Sequence, residues 1–309
     1  GIRFSSKVIL AKIEAVYATD PVPTGAANAL LMTDVTIAPM EGDSVSRNLA
    51  RPYMGAQEEF AVGLHMVLSG STELVGSGSA GVAPAWGPLA RACGLAEVIA
   101  ADTSVAYNPV SESHESISLY FWIGATRHVL KGCRGTAVLT ITAQGIPVIR
   151  WTFTGLYAEP SEVAQAAPTL TSWQRPVVAT KTNTPTFTVG GVAMVLRNFE
   201  LDLACSVERR LLIGKEEILI VDRAESIAAQ VEAVPLTTFN PFAKASDMSN
   251  LAVSIVHGTV AGHISNIAAP TCQMQRPTGY ENQQNILEWP LRLTPKPSAG
   301  NDQFTLTLT

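Results

Sequence analysis

The amino-acid sequence predicts a mainly β protein, with a minor helical part, built from two similar halves. Three observations support this fold class. Runs rich in β-branched and aromatic residues recur along the chain, helical signals are confined to two short segments, and landmarks of the first half return in the same order in the second. A chain of 309 residues has room for one large or two medium domains.

Strand signals dominate the first half. Residues 148–154 alternate apolar and polar side chains over most of their length, as a half-buried strand does. The sequence Ala-Gln-Gly-Ile-Pro at 143–147 separates two such runs and predicts a hairpin turn with Gly145 at its tip. The strand candidates are 60–75, 116–123, 136–142, 148–154 and 304–309.

Two short segments carry helix signals. In 86–94, Pro88 suits an early helical position and Gly94 suits the C-terminal stop. The second candidate is 240–246. Four apolar residues are predicted to pack these helices against the strands: Trp86, Leu89, Phe239 and Phe242.

Landmarks that recur in the same order predict a tandem duplication. Each is ordinary alone, but five in one order are hard to obtain by chance. In each half a cysteine precedes a tryptophan, by 18 residues in the first half and by 17 in the second. The matched segments are 86–93 with 239–246, 45–49 with 207–211, 58–59 with 216–217, 72–75 with 231–234, and Trp151 with Trp289.

Residues 158–186 separate the two halves. Pro, Ala, Thr and Ser crowd this stretch, which is typical of an extended linker. The predicted organisation is therefore a first domain at 1–157, a linker at 158–186 and a second domain at 187–309.

The composition excludes several classes of protein. Charged residues make up 15% of the chain, against roughly 25% in an ordinary soluble domain. The formal net charge is 21 − 26 = −5 without a basic run, which argues against tight binding to nucleic-acid phosphates. No secretory signal and no apolar span of about 20 residues is expected. A weakly charged surface on a chain of this size indicates that much of that surface is buried in an assembly.

No set of residues predicts catalysis, a cofactor or a metal site. The GxGxxG match at 76–81 is followed by Pro84 and not directly by a helix, so it predicts a flexible loop. His257 and His263 are six residues apart but lack further ligands at zinc spacing. The four cysteines form no CxxC pair and are expected to be reduced. The protein is therefore expected not to be an enzyme.

One polar segment, 39–55, is predicted to be a long loop between two strands. Loops of this length are usually functional or disordered, and its apolar residues argue against plain disorder. Mixed charges beside apolar anchors predict a docking arm for a neighbouring subunit. Its counterpart in the second half, 205–216, is shorter.

These segments together resemble the major tail protein, or tail tube protein, of long-tailed and more specifically non-contractile bacteriophages and prophages. The resemblance covers nearly the whole first half and extends more loosely to the second. It is carried by 31–47, by Arg-Pro-Tyr-Met-Gly at 51–55, by 76–94, by Leu-Lys-Gly-Cys-Arg-Gly at 130–135 and by Phe-Thr-Gly-Leu-Tyr at 153–157.

The resemblance implies two tandem β-sandwich or barrel domains, each with one short flanking helix. It implies inner sheets that join around a lumen, and a loop after the first strand that stacks one ring on the next. That role falls here on the segment 41–55 and, less closely, on 205–216. The residues expected to stack rings are Glu41, Asp43, Arg47, Arg51 and Tyr53.

A structural virion protein is the function that the resemblance implies. Stacked rings would enclose the tape-measure protein during assembly and pass double-stranded DNA without specific binding, with tail terminator and tail-tip proteins as further partners. The expected location is the virion tail, and the host cytoplasm during assembly. An acidic lumen would not hold phosphates, and the candidate lumen acids are Glu59, Glu73, Glu217 and Glu232.

Tail tubes of this kind commonly use six tube domains per ring, so two domains per chain predict a trimer with a pseudo-hexameric ring. In the competing arrangement, six chains form the ring and the second half decorates its outside. A virion decoration or receptor-binding module, or a β-sandwich enzyme, are the other classes that remain open.

Overall fold

The computed structural model describes residues 1–309, and it is mainly β, with three short helices. None of these helices has the length and apolar character needed to cross a membrane. In the first half the elements are β1 (Lys7–Ile13), α1 (Gly25–Asn28), β2 (Thr33–Ser46), β3 (Glu59–Glu73), α2 (Gly87–Arg91), β4 (Leu95–Ala100), β5 (Ser104–Pro109), β6 (Ile117–Ile123), β7 (Thr126–Thr142), β8 (Val148–Leu156) and β9 (Ser161–Glu162).

The second half contains β10 (Thr186–Val189), β11 (Val192–Ala193), β12 (Leu196–Asp202), β13 (Cys205–Leu212), β14 (Lys215–Arg223), β15 (Ser226–Glu232), α3 (Pro241–Asp247), β16 (Asn250–His257), β17 (Ser265–Met274), β18 (Glu281–Gln283), β19 (Ile286–Pro295) and β20 (Thr305–Leu308). The five strand candidates overlap with β3, β6, β7, β8 and β20, and both helix candidates overlap with α2 and α3. The mainly β fold class is confirmed.

The prediction of a loop over 39–55 is wrong in its first part. Strand β2 continues to Ser46 and pairs with the start of β3, so this segment is a long β-hairpin whose irregular tip covers 47–58. The pattern gave no strand signal because neither face of this hairpin lies against the core of its own chain.

One antiparallel sheet runs through both halves of the chain. Its strands lie in the order β2, β3, β8, β7, β12, β15, β19, and β17 and β18 share the last position beside β19. The seam between the halves is the pairing of β7 with β12, from Thr142 opposite Asn198 to Val138 opposite Asp202. The halves are therefore joined by main-chain hydrogen bonds as well as by the connecting segment.

Each half pairs its strands in the same order. In the first half the order is β1, β6, β7, β8, β3, β2, and in the second it is β10, β16, β17, β19, β15, β12. A cysteine marks the point where β7 and β17 pass from one partner strand to the next, since Cys133 lies opposite Ile117 and Cys272 lies opposite Leu251. The helices α2 and α3 precede the corresponding strands.

The helices pack on the tryptophans of this sheet. Trp86 lies 6.1 Å from Trp151 at an interplanar angle of 39°, and Phe239 lies 6.3 Å from Trp289 at 44°. Leu89 is also fully buried beside the first helix. Phe242, by contrast, is 39% exposed and contacts Tyr280. A single cluster of 52 buried residues includes side chains from both halves.

The Pro-rich segment is held along the surface of the first half. The indole N–H of Trp122 donates to Val163 O (3.1 Å), and the indole N–H of Trp173 donates to Ala29 O (3.1 Å). Further along, Ala179 N donates to Gly145 O at the β7–β8 turn (2.9 Å). These bonds, spread along the segment, fix its path.

Phe199 tests whether the halves unfold together. It lies on β12 at the seam and is fully buried, so Phe199→Ala is expected to lower the free energy of unfolding by about 3–5 kcal/mol. Because one core spans the seam, tryptophan fluorescence in a urea titration should show one shifted transition. Phe242→Ala, at a partly exposed position on α3, is the matched control and is expected to cause a smaller loss. Two separate transitions would contradict a shared core.

Candidate assembly surfaces

The continuous sheet has one apolar face and one polar face. On the apolar face, Leu68, Phe153 and Phe199 lie in the core. On the opposite face short hydroxyl side chains follow each other across neighbouring strands: Thr36 lies opposite Ser69, Ser69 opposite Thr152, and Thr152 opposite Thr136. These hydroxyl rows have no packing partner within the chain and present a hydrogen-bonding surface.

Two of the candidate lumen acids lie on this polar face. Glu73 is opposite Val148, and Glu232 is opposite Glu288. The two acids are not at equivalent positions, because Val148 precedes Trp151 by three residues whereas Glu288 directly precedes Trp289. The match of Glu73 with Glu232 in the sequence alignment is therefore wrong by two residues.

Further acids on this face were missed by sequence reasoning. Glu200 and Asp202 lie on β12 between core residues, and the alternation of 199–202 could have found them. Glu288 is buried: its carboxylate accepts from Arg197 Nε (2.7 Å) and from Gln230 Nε2 (2.6 Å). These contacts, that of Arg197 above all, lower the pKa of Glu288.

The other two candidate acids lie on hairpins outside the continuous sheet. Glu59 begins β3, where that strand pairs only with β2. Glu217 lies on β14 in ion pairs with Lys215 (2.6 Å) and Arg134 (3.4 Å), and these partners, Lys215 first, lower its pKa. Strand periodicity could not distinguish these hairpins from the sheet.

The first arm, residues 39–64, projects beyond the continuous sheet. Val45 lies opposite Phe60 and Asp43 opposite Val62, and all four side chains are exposed. The tip is closed by Arg51, whose guanidinium donates to Gly55 O and Ala56 O. The five predicted ring-stacking residues all belong to this arm: Glu41, Asp43, Arg47, Arg51 and Tyr53.

The second arm, residues 205–223, is the hairpin of β13 and β14 and lies across the first half. Ile218 is fully buried there, its N–H donates to Tyr17 Oη (2.7 Å), and its carbonyl accepts from Arg134 Nη1 (2.7 Å). Burial raises the pKa of Tyr17 to about 12, so its hydroxyl stays protonated. The arm is thus held through its main chain as well as by its apolar side chains.

Arginines complete the contact between the second arm and the first half. Arg134 also donates to the carbonyl of His114 (2.7 Å). Arg223, at the base of the arm, donates to Gly94 O and Val110 O, both at 2.9 Å. Arg209 Nη1 lies 2.7 Å from His65 Nε2, which accepts if His65 Nδ1 donates to Gly63 O (3.0 Å). Planar guanidinium groups suit such multiple contacts with carbonyl oxygens.

The cysteines and histidines form no metal-ligand cluster. All four cysteines are free and buried, and burial raises the pKa values of Cys93 and Cys133 well above the usual range. Their thiols therefore stay protonated and unreactive.

Comparison with known proteins gives one match. The sequence model of a family described as "Phage tail tube protein" matches residues 5–308. A comparison with curated proteins finds no similar sequence.

Acidification is expected to loosen the second arm. Burial lowers the pKa of His114, and the cations of Arg223 and Arg134 add to the shift. The unfolded chain, with an ordinary histidine pKa of about 6.5, therefore takes up the proton first as the pH falls. The stabilising contribution is complete above about pH 6.5 and is lost as the pH falls below that value.

The measurement is urea denaturation together with hydrogen exchange of 205–223 between pH 7.5 and 5.5. Replacing His114 by Asn keeps an N–H donor for Val110 O, which His114 Nε2 contacts at 3.0 Å, but removes the titration. The variant should therefore show a shallower loss of arm protection at low pH. An unchanged pH dependence in the variant would exclude His114 as a cause.

Proposed function

Because the chain belongs to the phage tail tube protein family, a structural family of the virion tail, we propose that three copies close into a ring and that rings stack into the tube. Self-association follows from the family. The number of chains, the contacts between them and the contents of the lumen are parts of the proposal. The role is structural and not catalytic.

The seam between β7 and β12 is the single observation that carries the ring proposal. Within one chain, the second half continues the sheet of the first half through its strand β12. The strand at the corresponding position of the first half, β2, pairs only with β3 and leaves its other edge free. At the far end of the sheet, β18 pairs only with β19. Free edges of this kind are stabilised by pairing with another chain.

The seam also supplies a register for the contact between chains. The alignment of 45–49 with 207–211 and the match of Ala38 with Glu200 give the same offset on either side of the bulge in β2, and this offset places Met40 at the position of Asp202. Arg150 and Glu288 each precede a tryptophan, and their partners Val138 and Glu281 therefore correspond. Since Asp202 lies opposite Val138, Met40 of one chain lies opposite Glu281 of the next chain in the proposed ring.

Three chains follow from the repeated unit. Each chain contributes two groups of strands with the same pairing order, and six such units make the ring that the family resemblance implies. The competing hexamer, in which the second half decorates the outside, would need the second half to leave the sheet. The main-chain pairing of β12 with β7 argues against that separation.

The polar face of the continuous sheet is the proposed lumen wall. On this face the acids Glu73, Glu200, Asp202 and Glu232 outnumber the cations Arg150 and Arg292, so its net negative charge would repel DNA phosphates. We assign to this lumen the tape-measure protein during assembly in the host cytoplasm and double-stranded DNA during ejection. Tail terminator and tail-tip proteins would cover the free ends of the tube.

A disulfide between Met40→Cys and Glu281→Cys tests the ring contact. Leu203 N donates to Ala137 O, so by alternation Asp202 and Val138 form a non-hydrogen-bonded pair, with Cα atoms about 4.5 Å apart. Cysteines at the equivalent positions can form a disulfide across two chains. Mild oxidation of assembled rings should yield covalent trimers on denaturing gels.

Pairing Met40→Cys with Asn282→Cys is the matched control, because Asn282 points to the other side of its strand. The native cysteines are buried and should not interfere. Rings seen by electron microscopy without covalent trimers in the test variant would refute this register. Covalent species that stop at six chains would overturn the trimer, because six chains would then close the ring through this contact.

A further inference from the structure

We infer that the first arm docks on the second half of the next chain in the same ring, in the way that the second arm docks on the first half within one chain. This inference rests on the proposed ring and adds the contact surface for its largest exposed hairpin. It differs from the family resemblance, which assigns the segment 41–55 to the stacking of one ring on the next.

The docking faces of the two arms are alike. Val45 lies opposite Phe60 in the first arm, and Val207 lies opposite Ile220 in the second. Ile220 is 7% exposed because the first half covers it, whereas Val45 and Phe60 are each 52% exposed. A two-stranded hairpin is at best marginally stable alone, and bare apolar side chains on it mark an interaction surface.

The surface of the first half on which the second arm docks has a counterpart in the second half that no arm covers within the chain. In the first half, the arm lies against Cys93 at the end of α2, against Arg134 beside Cys133, and against His65. The matched helices, cysteines and tryptophans give the counterparts of these residues in the second half. Ser246 corresponds to Cys93, Gln273 to Arg134, and Ser226 to His65.

Exposure separates the covered surface from its counterpart. Arg134 and His65 are buried, whereas Ser246 and Ser226 are exposed and Gln273 is half-buried, and Met248 at the end of α3 is 66% exposed. The first arm and this patch cannot meet within one chain, because β2 and β18 lie at opposite ends of the continuous sheet. A contact between such unlike surfaces repeats from chain to chain until the ring closes.

Charge complementarity supports the same pairing. The first arm carries the carboxylates of Glu41, Asp43, Glu58 and Glu59 against two arginines, one of which, Arg47, pairs with Glu58. The second half has Lys244 and Asp247 on α3, and Lys296 beside β17, where Lys296 N donates to Thr271 O (2.8 Å). Opposite charges on the first arm and on this patch of the second half favour their association, whereas contact between two surfaces of like charge would be unfavourable.

Cross-linking of Asp43→Cys with Ser246→Cys tests this inference. These positions correspond to Cys205 and Cys93, and Cys205 Sγ lies 3.5 Å from Cys93 O within one chain. A short bismaleimide applied to single rings and to stacked tubes should give covalent species that end at the trimer in both. Ser44→Cys with Ser246→Cys is the matched control, because Ser44 points to the other face of the arm, and it should give little product.

The outcomes distinguish the inference from the proposed function. Rings that form, as seen by electron microscopy, but do not cross-link would overturn the arm contact and leave the ring proposal standing. Products larger than the trimer in tubes, with none in single rings, would place the arm between rings and also overturn the inference. Failure of the unmodified protein to form any ring would overturn the proposed function and this inference with it.

Discussion

The free edge of a β-strand is the constraint on which this structure depends. Strand β12 covers the edge of β7 and fuses two similar sheets into one. The fusion moves the unpaired edges to β2 and β18, at the two ends of the sheet. A single chain is therefore a segment of a larger sheet. Its two unpaired edge strands favour assembly, because each edge is stabilised when it pairs with another chain.

The two arms provide a second kind of contact, in which a hairpin docks on the surface of a half. The second arm covers the first half through Ile218, Arg134 and Tyr17, so one chain already contains a complete example of arm docking. The first arm has a similar apolar face without a partner. Repeating one set of contacts within and between chains would let a chain whose halves pair their strands in the same order build a closed ring from one kind of interface.

Local patterns in the sequence predicted much of the fold. The alternation at 148–154, the proline and glycine around 86–94 and the recurring landmarks reflect burial and turn chemistry, which act over a few residues. The strand at 41–46 could not be predicted, because Glu-Gly-Asp-Ser-Val-Ser packs on nothing in its own chain. Glu59 and Glu217, two of the candidate lumen acids, lie on hairpins outside the continuous sheet, and periodicity does not reveal where a strand leaves the sheet. The contacts of Arg134 join residues far apart in sequence and carry no local signal.

Electron microscopy of the assembled tube in end-on view, at a resolution that separates strands, tests the central claim most directly. The account predicts three chains per ring, each contributing eight consecutive strand positions to one closed sheet with its polar face on the lumen. Six chains around the lumen, with β12 and β15 outside the inner sheet, would contradict it.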